Sequence, residues 1–406
     1  MDLIVVGGGI AGCAMAWQAS QRGLQVAVID DPTLSSSSRV AAGLVTPITG
    51  DRLALSWRWG EFYPACNALY EQTQRITSTD FWHVAAAWRV FQSDPERDRF
   101  YRRWWSEEGK REMAASGIAL EPMHEEQLQP FHAPRGGFSM WPAGRLDTQA
   151  YLDATANHFR AKDRWFPLQL DCDEDLEWAP GHVRVPRLGL QGSTLVLCQG
   201  IAARTNRWFA DLPLHPARGD ILELSTDASI PAVVHHEAWV VPIQPNDKPN
   251  NDKRCCRVLV GATYDRQCLD TSIDHATADR FRVELLKRWK DMLTAAPPKT
   301  GSNGPGFGDA ANGGDGCNSS ILGHRAAVRP ASYDRHPLIG PHPTQPNLYC
   351  LNGLGSKGSL MAPHLASLLL DCILENKTIE RSLQWHRRED KARGVEDSRE
   401  ESHRKP

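Results

Sequence analysis

Met1–Ala19 reads MDLIVVGGGIAGCAMAWQA. Leu3–Val6 is short and wholly apolar, the pattern of a strand buried on both faces. It runs into Gly7-Gly8-Gly9, and Ile10, Ala11, Ala14, Met15, Trp17 and Gln18 follow at the spacing of a helix buried on one side. The glycines fit G-x-G-x-x-G at Gly7, Gly9 and Gly12. In that pattern the first permits a tight turn, the second lets a pyrophosphate approach the backbone, and the third lets the helix lie against the strand. The helix N-terminus then offers free N–H groups and the positive end of its dipole to phosphates. Leu24–Ile29 (LQVAVI) predicts a second, parallel strand ending at Asp30, with Asp31 beside it. Asp30 stands about 20 residues beyond the glycines, where a carboxylate meets a ribose hydroxyl in dinucleotide-binding units. The alternative is an ordinary glycine-rich turn that binds nothing.

The 406 residues leave room for two domains or one large α/β unit with an insertion. With 41% hydrophobic and 23% charged residues a sizeable core is available, and a net charge of -3 argues against bulk attraction to nucleic acid or anionic membrane. Ten cysteines are scattered with no C-x-x-C, so neither a zinc site nor a thiol redox motif is indicated. A reduced, cytoplasmic setting is the simpler expectation. The first strand begins at the N-terminus, which leaves no room for a cleaved signal peptide. No apolar run reaches the ~20 residues of a membrane helix, so no membrane partner is expected.

Further along, Ser35–Ser38 and Arg39-Val40-Ala41-Ala42-Gly43-Leu44 form a small-residue loop, either flexible or passing close to a flat ligand. Residues 53–82 predict long helices, kinked or restarted at Pro64. Trp57, Trp59, Phe62, Trp82, Trp88, Trp104 and Trp105 concentrate aromatics there, mostly as core. Arg97–Arg111 (RDRFYRRWWSEEGKR) is either a nucleic-acid face or an amphipathic surface helix with its charges in water. Strands are predicted at Trp88–Gln92, Arg164–Leu170, His182–Val185 and Ser193–Cys198, and a helix at Gln149–Arg160 capped by Asp147 or Thr148. Asp220–Leu224, Ala238–Ile243 and Arg257–Val260 alternate like an antiparallel sheet. Gln244–Arg254 reads as a polar hairpin loop, and Ala296–Ser320, rich in Gly, Pro, Asn and Ser, as disorder. His324–Pro330 is strand-like, Asp334–Gly340 is a turn, and Asn347–Leu351 a last strand. It leads through Asn352–Gly358 into the helix Ser359–Leu374, a second strand–glycine-loop–helix unit. From Arg381 the chain is densely charged and is expected to fray.

Four separated pieces, VVGGGIAG…VAVID, RVAAGLVTP, VLVGATY and VRPASYDRHPLIGP…LYCLNGLGSKGSLMAP, resemble the D-amino-acid oxidase (DAO) family of FAD-dependent oxidoreductases over nearly the whole chain. Within that family SSSSRVAAGL and LGSKG are most similar to the FAD domain of the bacterial enzyme that removes the carboxymethyl group from carboxymethylaminomethyl-uridine in tRNA. Glycine oxidase is the next resemblance. The family implies an α/β fold in which a Rossmann-like FAD-binding domain is interleaved with an antiparallel-sheet substrate domain. The FAD domain would take residues 1–80, 145–212 and 321–380, and the substrate domain 81–144 and 213–320, followed by a charged tail at 381–406.

The resemblance assigns cofactor contacts to Gly7, Gly9, Ile10, Ala11, Gly12, Asp30 and Asp31 on the ADP half, and to Arg39, Ala42, Gly43 and Leu44 along the pyrophosphate and isoalloxazine. Leu168 would meet adenine through its backbone, Gly200 would pass close to the cofactor, and Leu354, Gly355, Ser356, Lys357 and Gly358 would close on the flavin's N1–C2 edge. Lys357 or the helix N-terminus there would stabilise negative charge on the flavin. Arg329 falls where the family's amine oxidases hold a substrate carboxylate, a task its planar fork suits; the alternative is a structural ion pair with Asp334. Trp239 and Tyr264 are candidate pocket walls, and no catalytic acid or base is assigned. Ala327 stands near the place of the covalent flavin cysteine of sarcosine oxidases, so FAD is expected to be non-covalent. Ser356 replaces a second arginine of glycine oxidase, and the methyltransferase domain usually fused to the tRNA-modifying enzyme is absent. The implied reaction is oxidation of the C–N bond of a small amine or amino acid, with O₂ or another acceptor. A 2-hydroxy-acid or polyol dehydrogenase, or a tRNA wobble-uridine oxidoreductase, stands as the alternative.

Overall fold

The computed structural model describes residues 1–31, 33–34, 36–243, 256–293 and 319–387. The chain opens with β1 (Leu3–Val6), α1 (Ile10–Gln21) and β2 (Val26–Asp30), then α2 (Ser37–Val40), β3 (Leu44–Val45), the hairpin β4 (Ile48–Thr49) and β5 (Ala54–Leu55), and α3 (Trp59–Thr77). Next come β6 (Trp82–Val90), α4 (Asp94–Trp104), α5 (Glu107–Ser116), β7 (Ala119–Met123), β8 (Gly137–Leu146) and α6 (Thr148–Arg160). β9 (Trp165–Pro167) precedes the meander β10 (Glu177–Ala179), β11 (His182–Val185) and β12 (Leu190–Gly192), and β13 (Thr194–Leu197) follows. Last are β14 (Ala217–Thr226), β15 (Val233–His235), β16 (Trp239–Ile243), β17 (Cys256–Gly261), α7 (Ala276–Met292), β18 (Ser319–Arg329), β19 (Leu338–Pro341), β20 (Leu348–Asn352) and α8 (Gly358–Glu375).

Two sheets position everything else. The first runs β19-β20-β13-β1-β2-β9 and is parallel except for β19. β1 is apolar at every position, and β2 and β13 at all but one, because both faces are covered. On one side α1, α3 and α8 bury Cys13, Trp17, Phe62, Tyr70, Leu365 and Leu369 against it. On the other the meander packs Val183, Val185 and Leu190 onto Ile4, Ala27 and Leu195. Each large apolar side chain so buried is worth roughly 1.5–3 kcal/mol. Trp17 also keeps its indole N–H satisfied by donating to Thr155 Oγ1 at 2.9 Å. β1 feeds β2 on one side and pairs β13 on the other, so strand order reverses there and the carboxyl ends of β1, β13 and β20 face one crevice.

The second sheet runs β18-β14-β17-β16-β15-β6-β8-β3, with β7 paired to β8. One face, carrying Leu222, Leu224, Val234, Val240, Val258 and Val260, packs on Leu285 and Trp289 of α7. The opposite face carries Ile221, Val241, Leu259 and Trp239, packed against Val40, Ala42 and Leu44. This sheet therefore roofs the crevice of the first. The expected fold class holds, an α/β cofactor unit interleaved with an antiparallel-sheet unit. β3 and β18 join the roof, although the sequence reading grouped their segments with the cofactor part.

Several local expectations are corrected. Residues 53–58 form β5 and a turn, and α3 runs through Pro64 as one helix. Arg97–Arg111 is divided between α4 and α5 rather than forming one helix. The turn expected at 334–340 ends in β19. Ser319 and Ser320 lie in β18; the rest of the 296–320 stretch and the 244–254 loop lie outside the described residues. Residues 381–387 do not fray: Trp385 is buried, and Arg387 is buried with its guanidinium on Asp334 at 2.7 Å. Beyond 387 the tail lies outside the described residues. All described cysteines are free, no metal-binding cluster occurs among the described residues, and no described helix is long and apolar enough to cross a membrane.

Candidate active site

Between the sheets lies a cavity of about 1080 Å³, at the upper end of the ~300–1,000 Å³ usual for small-molecule sites. It is lined in sequence order by the loop after β1, the acids after β2, α2 and its following loop, the loop after β13, the roof strands and the loop before α8. Of the residues assigned from sequence, Gly7, Gly9, Ile10, Ala11, Asp30, Asp31, Arg39, Ala42, Gly43, Leu44, Leu168, Gly200, Trp239, Arg329, Leu354, Gly355, Ser356, Lys357 and Gly358 all line it. Gly12 does not. It sits behind the loop, where a Cβ would fall 1.8 Å from the Gly7 carbonyl oxygen, so its role is packing. Tyr264 is corrected: it lies outside the lining, 56% exposed, with its ring 5.6 Å from the Arg329 guanidinium and its hydroxyl accepting from Arg266 at 3.0 Å.

The nucleotide end is built by short-range contacts. Gly7 turns the chain at φ +104°, which L side chains rarely adopt. Gly8 N–H donates to Asp30 Oδ1 at 2.7 Å, and Ser38 Oγ accepts from Ile10 N–H at 3.0 Å. Burial raises the Asp30 carboxyl from its ordinary value, with the Gly8 hydrogen bond opposing. Asp31 Oδ2 is buried without a partner among the described residues, while Oδ1 accepts from Thr33. The Leu168 N–H is taken by the Asp30 carbonyl at 3.0 Å, so its carbonyl remains for a ligand. Ser36 caps α2, and Arg39 at its end pairs with Asp153 at 2.8 Å in an exposed ion pair.

The opposite end holds two half-buried cations. Arg329 Nη1 donates to the carbonyls of Arg218 at 3.1 Å and Thr263 at 3.2 Å. No carboxylate pairs with it among the described residues, and Asp334 is engaged by Arg387 instead. Burial lowers the Arg329 guanidinium from its ordinary value, with Tyr264 and Asp220 opposing. Lys357 Nζ donates to Ser56 Oγ at 3.3 Å, and burial pushes it down to about 8. His235 on β15 also lines the cavity. Burial, with Arg89 and Lys357 nearby, lowers it to about 3, so the ring is neutral.

Gly219, Ile221, Thr49, Ser56 and His235 escaped the sequence reading. Gly219 had a signal: a glycine inside a strand marks close backbone approach. A Cβ there would lie 2.1 Å from Arg329 Nη2, so the glycine is the notch in which the guanidinium rests.

These residues fit a dinucleotide cofactor. The glycine turn and orphaned Asp31 oxygen mark a polar nucleotide end, and the cavity continues to a flat roof under Trp239 and Ile221. A family model described as DAO, FAD dependent oxidoreductase, matches residues 2–371. The chain is 29% identical over 384 residues to the tRNA 5-methylaminomethyl-2-thiouridine biosynthesis bifunctional protein MnmC of Caulobacter sp., covering 92% of this chain and 54% of that protein. The Vibrio vulnificus protein of the same name is 24% identical over 417 residues, 91% of this chain and 55% of its own. The chain thus spans about half the length of the curated relatives it matches. Among solved structures, glycine oxidase from Bacillus cereus superposes with a TM-score of 0.70 at 17% identity, covering 93% of this chain and 96% of that one. That similarity shows the fold.

Proposed function

Because the chain belongs to the DAO family of FAD-dependent oxidoreductases, matched over residues 2–371, we propose that it oxidises the C–N bond of an amine bearing a carboxylate, an amino acid or N-substituted glycine. The observation that carries this reading is Arg329, a half-buried guanidinium in the cavity wall with two carbonyl contacts and no carboxylate partner among the described residues. A charge partly withdrawn from water without its counter-ion is unfavourable, and a carboxylate delivered by the substrate relieves that. Glycine oxidase and the structurally similar iminodiacetate oxidase are named for amines of this kind, which supports the reading.

Gly7, Gly9, Ile10, Ala11, Asp30 and Asp31 would hold the nucleotide half of FAD, Leu168 and Gly200 would flank it, and Ala42–Leu44 with Leu354–Gly358 would hold the flavin. When bound, FAD supplies the two-electron acceptor that C–N oxidation requires. Arg329 fixes the carboxylate and with it the α-carbon beside that group. Trp239 and Ile221 wall the site. Lys357, mostly protonated near neutral pH, places positive charge at the loop before α8, where it stabilises developing negative charge. The amine loses two electrons and two protons to become an imine. Water then adds to the carbon, and the C–N bond breaks to give a carbonyl product and a free amine. An amine that binds neutral needs no side-chain base, in keeping with a cavity whose one histidine is held neutral.

Anaerobic mixing of the holoenzyme with glycine, sarcosine, iminodiacetate, lactate and glycerol 3-phosphate tests the proposal through the flavin's visible band. Bleaching by the carboxylated amines is expected. Bleaching only by the hydroxy compounds would move the protein to the dehydrogenase reading. A second reading has its own support: the Caulobacter and Vibrio relatives are named for tRNA biosynthesis, so the amine would be carried on a tRNA base.

A further inference from the structure

Outside the cavity, Arg52, Arg99, Arg102 and Arg103 converge with Asp51 on an open cleft of about 660 Å³. Arg52 and Asp51 come from the turn between β4 and β5; the other three arginines come from α4. Arg52 and Arg102 are exposed and make no hydrogen bond or ion pair among the described residues. Arg99 donates to the Asp51 carbonyl, which leaves its charge unpaired. Only Arg103 meets a carboxylate, Glu112 at 3.3 Å, and it also lies 4.9 Å from the Trp104 ring. Beside the arginines, Tyr101 and Trp105 are 40% and 39% exposed, with rings 5.7 Å apart in an edge contact. Thr49, at the head of the same turn, lines the main cavity. Arg52 is three positions further along, so cleft and cavity lie within ~10 Å along the chain.

We infer that this cleft docks the phosphate backbone of an RNA whose amine-bearing base enters the cavity, an inference that rests on the amine-oxidation reading above. The chain carries a net charge of -3, so its positive potential is local to this cleft rather than general. Guanidinium groups from two elements suit successive phosphates, and exposed aromatic rings beside them suit unpaired bases, the combination that single-stranded RNA requires. A free phosphate or mononucleotide would use one or two of the four arginines and neither ring.

The test is fluorescence anisotropy of the holoenzyme with a fluorescein-labelled RNA stem–loop across a salt series. Wild-type protein is expected to bind. Arg52→Glu/Arg102→Glu, which removes two side chains without partners, is expected to weaken binding at least tenfold. It should also flatten the slope of log K against log salt by about 1.4, at ~0.7 per phosphate contact. Cytidine monophosphate and inorganic phosphate should compete poorly. Absence of RNA binding at low salt, an unchanged affinity in the double variant, or equal competition by the mononucleotide overturns the inference. The same variant is mixed anaerobically with free sarcosine. Retained bleaching with lost RNA binding supports the docking cleft. RNA binding that depends on the arginines, with no bleaching by any amine in wild type, keeps the cleft and overturns the amine reading.

Discussion

Arg329→Ala removes the one cavity side chain that explains a carboxylated substrate. Nη1 is already committed to the carbonyls of Arg218 and Thr263, so Nε and Nη2 are the donors left for a carboxylate. Two charge-assisted hydrogen bonds at ~1.5–3 kcal/mol each give about 3–6 kcal/mol. At ~1.4 kcal/mol per decade, that is about 10²–10⁴ in the ratio of flavin reduction rate to substrate dissociation constant. The assay is stopped-flow bleaching of the flavin under anaerobic conditions, with sarcosine and with its decarboxylated counterpart dimethylamine. Sarcosine should lose the full factor, whereas dimethylamine should be nearly as poor a substrate before and after the change. Arg329→Lys should recover only part of the loss, because an ammonium is not a planar fork. Gly219→Ala offers an independent route to the same defect, since its new Cβ would occupy the place of Nη2. An equal loss for both amines, or a loss below tenfold for sarcosine, would refute the anchor.

Lys357→Met should stabilise the FAD-free protein at neutral pH. A lysine moved from 10.5 to about 8 costs on the order of 3 kcal/mol at most when it must be charged in the fold, at ~1.4 kcal/mol per pKa unit. The sign follows: between about pH 8 and 10.5 the unfolded chain binds the extra proton, so wild-type stability should rise with pH there and the variant's should not, as thermal melts can check. Arg387→Ala should cost about 2 kcal/mol by freeing Asp334, which its guanidinium holds well below the ordinary carboxylate range. That contribution is present above about pH 4 and lost as acid protonates Asp334, so the gap between wild type and variant should close in acid melts. Gly12→Ala should abolish FAD retention on gel filtration, because its Cβ would overlap the Gly7 carbonyl. Acid denaturation of the holoenzyme should release all flavin into the supernatant, since Ala327 offers no thiol for attachment.

The nucleotide end was legible because its contacts are close in sequence. Gly7 to Asp30 is one strand–loop–helix–strand unit, and Asp30 closes on Gly8 within it. The substrate end was legible only where a residue type carries its own chemistry, as Arg329 does. Thr49 and His235 reach the cavity, and Ser56 reaches Lys357, through the meeting of distant segments; β15, for example, runs parallel to β6 across more than a hundred residues of chain. Nothing local announces that. Arg39 was legible as a cavity residue but not as one in an ion pair, because Asp153 comes from α6. The charge-rich segment after Arg381 misled for the opposite reason: its density of charges suggested solvent, yet Arg387 turns inward to Asp334 and Trp385 donates to the Pro341 carbonyl at 3.0 Å.

Two glycines explain why a roof made of ordinary strands can recognise a substrate at all. Side chains on a sheet face normally stand away from it, and two large ones in adjacent rows would fill the space beneath. At Gly219 the Arg329 guanidinium lies where a Cβ would be, and at Gly261 the Trp239 indole does the same, 2.7 Å from the notional atom. Both long side chains therefore lie flat along the sheet instead of projecting from it. The flat cation offers its free edge sideways, and the flat indole closes the cavity without occupying it. Gly219 on β14 and Gly261 on β17 belong to adjacent strands, Ile221 pairing with Gly261, so cation and indole lie over neighbouring strands of the roof.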